Sequence, residues 1–213
     1  MVVHVCERAR ASGASSVTVA TDDARIGQAV EQHGYRALMT RADHPSGTDR
    51  IAEAAAVLEL AAGEIVVNVQ GDEPLIDAGL IREVAAVLER SSGASMSTAC
   101  HPIHDEASIA NPNVVKVVID AAGYALYFSR SRIPFPREPG GAWYRHAGIY
   151  GYRVEFLKKF SSLKPTSLEQ TEALEQLRAL AYGYRIVVAV SQAAIPPGVD
   201  TPQDLEAVRR MLA

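Results

Sequence analysis

Apolar positions recur at helical intervals from Val2 to Arg10, and Gly13 just beyond is placed to end a helix. Val17-Thr18-Val19-Ala20 predicts a short strand, with Thr21-Asp22-Asp23 capping a helix from about Ala24 to His33 that Gly34 stops. Ala37 to Met39 predicts a second short strand, and alanines and leucines over 48–60 a further helix. Ile65 to Val69 is nearly continuously β-branched, the character of a strand covered on both faces. It ends abruptly at Gly71-Asp72-Glu73-Pro74. A helix over 78–90, a strand over 95–100, an extended segment from Val114 to Ile119, a helix over 168–181, a strand from Ile186 to Val190 and a helix from Pro202 to Leu212 complete the alternation. Strands alternating with helices of this length predict an α/β fold with a doubly wound, mainly parallel sheet.

One segment breaks that rhythm. Between about 113 and 153 lie three β-type runs, Val114 to Val118, Ala125 to Phe128 and Gly148 to Tyr152, the last two separated by the proline- and glycine-rich stretch Ile133 to Gly141. This predicts a smaller antiparallel insertion, a natural place for a substrate lid or a subunit contact.

At 213 residues and 48% hydrophobic, the chain is expected to fold as a single domain spanning 1–213. The formal net charge of −4 argues against nucleic acid as a partner. Cys6 and Cys100 lack metal or redox spacing and suggest a reduced, cytoplasmic setting. No stretch approaches the roughly 18 apolar residues of a membrane span, and the first residues do not resemble a signal peptide.

Four clusters carry candidate chemistry. Asp72, at the carboxyl end of a buried strand, is where open α/β sheets place a ligand-binding or metal-binding acid, although a turn or helix cap explains it equally well. Thr40 to Arg50 contains Ser46-Gly47-Thr48 at a helix start, suited to an anion or a base edge, or simply to capping the helix. Gly198 to Asp204 follows the last strand region: Thr201 and Pro202 suit the cap and first turn, leaving Asp200 to face a ligand. Asp72 and Asp200 together would suit Mg²⁺, which binds through a few carboxylates, phosphate oxygens and water. Lys116, Ser129, Arg130, Arg145, His146 and Tyr150 form the fourth cluster; the arginines fit a carboxylate or phosphate, while a lone histidine beside a β run is more often structural.

These stretches, taken in order, resemble the CMP-Kdo synthetases (3-deoxy-manno-octulosonate cytidylyltransferases). The matching segments are Thr40-Arg41-Ala42-Asp43-His44, Ser46-Gly47-Thr48-Asp49-Arg50, Val67 to Pro74, Asn111 to Val118, Ala125 to Arg130, Arg145-His146 with Gly148 to Arg153, Leu174 to Arg178 and Gly198 to Pro202. The resemblance implies a sheet of the nucleotide-diphospho-sugar transferase type and a cytoplasmic homodimer, with the 113–153 insertion serving sugar binding and dimer contact. It further implies an enzyme that couples CTP to Kdo, releasing pyrophosphate, for lipopolysaccharide biosynthesis. On the same basis Asp72 and Asp200 are the catalytic Mg²⁺ ligands. Arg41, Ser46, Gly47, Thr48, Arg50 and Asp72 hold the nucleotide, and Gln70, Arg130, His146, Tyr150, Glu175 and Gln176 contact the sugar acid.

The family's usual opening strand and the basic loop that grips the triphosphate have no counterpart here, because Met1 to Val5 already matches the helix that follows that loop. A shortened record is the expected reason. The alternative is a catalytically impaired, truncated homologue that binds nucleotide or sugar, or only dimerises. A glycosyltransferase on a similar sheet usually carries Asp-x-Asp at the strand tip, which Gly71-Asp72-Glu73-Pro74 fits poorly.

Overall fold

The computed structural model describes residues 1–138, 140–196, 198, 199 and 201–212. In its first third, helices alternate with short strands as the periodicity predicts: α1 (Val2–Ala11), β1 (Thr18–Thr21), α2 (Ala24–Gln32), β2 (Arg36–Met39), α3 (Gly47–Val57), β3 (Ile65–Asn68) and α4 (Ala78–Arg90). The cap chemistry is explicit. The Asp23 carboxylate accepts from the Arg25 N–H at 2.8 Å and Asp77 from the Leu80 N–H at 3.0 Å, each satisfying an amide that the helix leaves unpaired.

The remainder comprises β4 (Met96–Ile103), α5 (Glu106–Ala110), β5 (Lys116–Ile119), β6 (Ala125–Ser129), β7 (Trp143–Arg153), α6 (Val154–Phe160), α7 (Ser167–Glu172), α8 (Gln176–Ala181), β8 (Ile186–Val190) and α9 (Pro202–Leu212). The main sheet runs β6-β5-β7-β4-β8, with β3 on the edge of β7 opposite β4, beyond the short β5 register. β7 is antiparallel to both β3 and β4, and β4 is parallel to β8, so β3, β4 and β8 all point the same way. The sheet is therefore mixed. Its βαβ strands keep the parallel direction expected of them, and β7, arriving from the insertion, wedges between two of them. β5 and β6 form the antiparallel hairpin that leads into it.

β1 and β2 pair in parallel as a separate two-stranded sheet, and among the described residues neither is laddered to β3. The three segments share α3, which packs against both β1 and β3.

The main core lies between the sheet and α3, α6 and α8, with Phe128, Leu157, Phe160, Leu177 and Ile186 fully buried. On the opposite face α4 supplies Leu80, Ile81 and Val84 against Ala99, Ile149 and Ala189. β7 and α4 approach so closely that a Cβ at Gly151 would stand 2.4 Å from Ser97 Oγ and 3.4 Å from the Val84 carbonyl oxygen. Only glycine fits there.

Two expectations change. The helix predicted over 168–181 is broken into α7 and α8 by Ala173, whose φ of 50° is left-handed. Consequently Glu172/Gln176 and Thr171/Glu175 do not share one helical face. The strand expected at 148–152 begins at Trp143, because Arg145 and His146, polar in sequence, lie between β4 and β5 and pair with His101 and Cys100.

Candidate functional site

β3 ends at Asn68, and the chain turns so that the Glu73 N–H bonds the Gln70 carbonyl at 3.2 Å. Asp72 is half-buried at this tip, and Val199 donates its N–H to the Asp72 carbonyl at 2.8 Å. The loop before α9 thus lies against the strand tip, as a two-aspartate site requires; Asp200 itself lies outside the described residues. Among the described residues no group of three or more His, Cys, Asp or Glu side chains forms a metal cage. A single well-placed carboxylate remains compatible with Mg²⁺, which usually retains water and takes phosphate oxygens as further ligands.

The adjoining loop, 40–50, leads into α3. Ser46 is the helix N-cap, accepting from the Asp49 N–H at 3.2 Å while its hydroxyl donates to the Asp49 carboxylate at 2.7 Å. Gly47 is exposed, and a Cβ there would lie 4.0 Å from Asn68 Nδ2, which places the start of α3 beside the β3 tip. Arg50 ties the surroundings together. It donates to the Thr40 hydroxyl at 2.6 Å and the Arg41 carbonyl at 3.3 Å, and pairs with Asp22 at 3.1 Å. Arg41 is exposed and reaches Asp43 at 3.4 Å and Glu53 at 3.8 Å. Glu53 also accepts from the nearly buried His44 ring, whose hydrogen bond holds the Glu53 carboxyl below its usual range. Thr48, by contrast, faces inward: it is 3% exposed, and its hydroxyl bonds Glu175 and Tyr152.

From that point an aromatic row crosses the sheet. Tyr152 and Tyr150 have ring centroids 6.1 Å apart, Tyr150 and His146 5.5 Å, and His146 and Phe128 4.9 Å in an edge-on contact. Burial pushes the His146 imidazole down to about 3, so it is neutral near pH 7. Its Nε2 lies 2.9 Å from the Thr98 hydroxyl, whose single proton is directed to the Ile149 carbonyl at 2.8 Å. His146 Nε2 therefore carries the proton and donates to Thr98, leaving Nδ1 as an acceptor. Burial, with Tyr152 and Glu175 nearby, raises the Tyr150 phenol well above its ordinary value and keeps it a donor. Gln70, exposed at the end of β3, lies over the same strand, its Nε2 3.6 Å from where a Cβ of Gly148 would stand.

The wall of the row comes from the break between α7 and α8. Glu175 Oε2 accepts from Thr48, while Glu175 Oε1 and Gln176 Nε2 are buried without a hydrogen-bond partner. Arg130, at the end of β6, is held by three main-chain carbonyls: Nε to Glu172 at 2.7 Å, and its terminal nitrogens to Pro112 at 3.2 Å and Ala173 at 3.4 Å. This leaves part of the guanidinium fork uncommitted. Beneath it Lys116 is fully buried, its ammonium donating to the carbonyls of Asn111 at 2.9 Å and of Val114 and Arg130 at 2.6 Å.

The structure thus brings Tyr150, His146, Glu175 and Gln176 to one stretch of the fold, with Gln70 at one end and Arg130 at the other. Ser46, Gly47, Arg41 and Arg50 gather beside the β3 tip. Glu172 and Glu53 were not singled out in the sequence as site residues. Each sits on an amphipathic helix where an acid reads as solvated, yet Glu172 is claimed by Ser129 and Arg130, and Glu53 by His44 and Arg41.

A family described as cytidylyltransferase matches residues 1–186. The 3-deoxy-manno-octulosonate cytidylyltransferase of Acidovorax sp. (strain JS42) is 55% identical over 228 residues, covering 100% of this chain and 87% of the relative. That of Polynucleobacter necessarius subsp. necessarius (strain STIR1) is 54% identical over 217 residues, covering 100% and 85%. A solved structure of CMP:2-keto-3-deoxy-manno-octonic acid synthetase complexed with CTP superposes with a TM-score of 0.93 at 43% identity, covering 99% of this chain and 86% of that one.

Proposed function

The chain belongs to the 3-deoxy-manno-octulosonate cytidylyltransferase family, and on that premise we propose that it transfers the cytidylyl group of CTP to Kdo, forming CMP-Kdo and pyrophosphate for lipopolysaccharide biosynthesis. The identity of 55% along its whole length carries this reading. Glu175 Oε1 and Gln176 Nε2, buried without hydrogen-bond partners, support it, since a hydroxylated ligand offers both the donor and the acceptor they lack.

The anomeric hydroxyl of Kdo attacks the α-phosphorus of CTP, and pyrophosphate leaves as the new P–O bond forms. Catalysis here is mainly positioning and charge stabilisation. Arg130, already fixed by three carbonyls, presents its remaining N–H groups to the sugar carboxylate. Neutral His146 accepts from a sugar hydroxyl through Nδ1, Tyr150 donates from the floor, and Gln70 covers the opening. The capped start of α3 and exposed Arg41 face the nucleotide, with Arg50 holding the loop that carries them. Asp72 and Asp200 are the proposed ligands of Mg²⁺, which when bound neutralises phosphate charge and lowers the pKa of the attacking hydroxyl.

The insertion at 113–153 supplies Arg130, His146 and Tyr150. It also displays Leu126 at 59% and Phe135 at 83% exposure, which supports its use as a homodimer contact. No helix of the described residues is long and apolar enough to cross a membrane. Cys6 and Cys100 are buried free thiols, which suits a reducing, cytoplasmic setting.

The test is pyrophosphate release from CTP plus Kdo with Mg²⁺, with omission of either substrate as the control. Release that requires both substrates is expected. Binding of both without release would mark a silent homologue instead.

A further inference from the structure

Resting on the reading that Glu175 contacts the sugar acid, we infer that Thr48 is a positioning residue for that sugar and not a contact for the nucleotide. Thr48 occupies the first turn of α3, two residues after the N-cap Ser46, where position alone suggests a nucleotide ligand. Its side chain is turned the other way. The hydroxyl donates to Glu175 Oε2 at 2.7 Å, across 127 positions of sequence, and lies 3.3 Å from the Tyr152 hydroxyl. A hydroxyl has one proton, so with that proton on Glu175 the Tyr152 O–H donates to Thr48. Both hydroxyls are spent, and the carboxylate is anchored through one oxygen.

The anchoring determines what the other oxygen does. Glu175 Oε1 is buried with no hydrogen-bond partner, and the nearest cation, Arg178, stands at 4.0 Å and is committed to Glu169 through Nε at 2.9 Å. Without the Thr48 hydroxyl the carboxylate is free to rotate and to close on Arg178, and Oε1 ceases to be an available acceptor. Gln176 Nε2, on the next residue, is a donor in the same unpartnered state. Neighbouring orphan acceptor and donor suit a polyhydroxylated ligand, whose hydroxyls supply both roles. Thr48 sets the first of the pair from a helix whose preceding loop faces the nucleotide, so the two halves of the site share one hydrogen bond.

The test measures equilibrium binding of Kdo and, separately, of CTP by titration calorimetry on the whole chain. Thr48→Val keeps the shape and removes the hydroxyl, and is expected to weaken Kdo binding about tenfold, the worth of one positioned hydrogen bond. CTP binding should stay unchanged, and Thr48→Ser should restore Kdo binding. If the valine variant fails to fold, Thr48→Ala against Thr48→Ser makes the same comparison with side chains that cannot overpack. Glu175→Gln is measured alongside. Should it lose Kdo affinity while Thr48→Val and Thr48→Ala do not, the inference on Thr48 is overturned and the sugar site stands. Should Glu175→Gln bind Kdo like the unaltered protein, or should the unaltered protein not bind Kdo at all, the sugar-site reading fails and the inference with it. Loss of CTP affinity in a folded Thr48→Val would make Thr48 a nucleotide contact after all.

Discussion

Arg130 and Glu172 hold each other twice, with main chain and side chain exchanging parts: the Arg130 N–H donates to the Glu172 carboxylate at 2.9 Å, and Arg130 Nε donates to the Glu172 carbonyl at 2.7 Å. The clasp joins the end of β6 to the end of α7 and aims the guanidinium. Removing the carboxylate by Glu172→Ala frees one half of it and strands the Arg130 N–H and the Ser129 hydroxyl. Kinetics should show KM for Kdo rising about tenfold with KM for CTP little changed, and thermal melts a loss of about 2 kcal/mol. An unchanged KM for Kdo would remove Arg130 from the sugar site.

Asp72→Asn and Asp200→Asn preserve shape while removing the charge that a divalent cation needs. Each is expected to lower pyrophosphate release by at least about a hundredfold, with the melting temperature within a few degrees of the parent. Chelation of Mg²⁺ should abolish turnover reversibly. Near-normal release by either variant would exclude that residue from the metal site.

His146 should leave a signature in acid. Its folded-state value of about 3 lies below the ordinary 6.5, so between those limits the unfolded chain binds the proton and the folded chain does not. Stability from this group is complete above pH 6.5 and is lost as pH falls toward 3, at up to about 1.4 kcal/mol per pH unit. Melting temperatures of His146→Asn, recorded across that window, should fall less steeply than those of the parent. Parallel curves would show that the imidazole is not held neutral.

Lys116→Met replaces a fully buried ammonium by an apolar chain of similar length and leaves three carbonyls without their donor. Denaturant unfolding should show a loss of about 3 kcal/mol, the consequence of stranding buried acceptors. Because one of the three belongs to Arg130, Kdo affinity should fall as well. A variant as stable as the parent would contradict the cage.

Much of this architecture is legible from residue spacing. The limits of α4 and β8 follow from period and caps, and Thr201 does cap α9, accepting from the Asp204 N–H at 3.2 Å. What spacing hides is set by distant partners. The run 168–181 has helical periodicity throughout, yet the clasp on Glu172 and the pairing of Arg178 with Glu169 impose a left-handed residue at Ala173. Local propensity loses to tertiary contact there. Arg145 and His146 look like a loop because polar residues interrupt the apolar pattern, although both lie inside β7. Spacing places Thr48 in the first turn of α3, where it lies, but which way its side chain points depends on the rotation of α3 against Glu175 and Tyr152, which no local signal records.

The separation of β1 and β2 from the main ladder is expected to divide the molecule into two units of unequal cooperativity. Amide exchange in the β1–β2 pair should proceed through local opening at rates well above those of β4, which is laddered on both sides. The stitches across the division include the Arg50 contacts to Asp22 and Thr40. Those contacts flank the proposed nucleotide loop, so a ligand seated there should slow the breathing of the smaller unit, and occupancy should become readable in the exchange rates of β1 and β2.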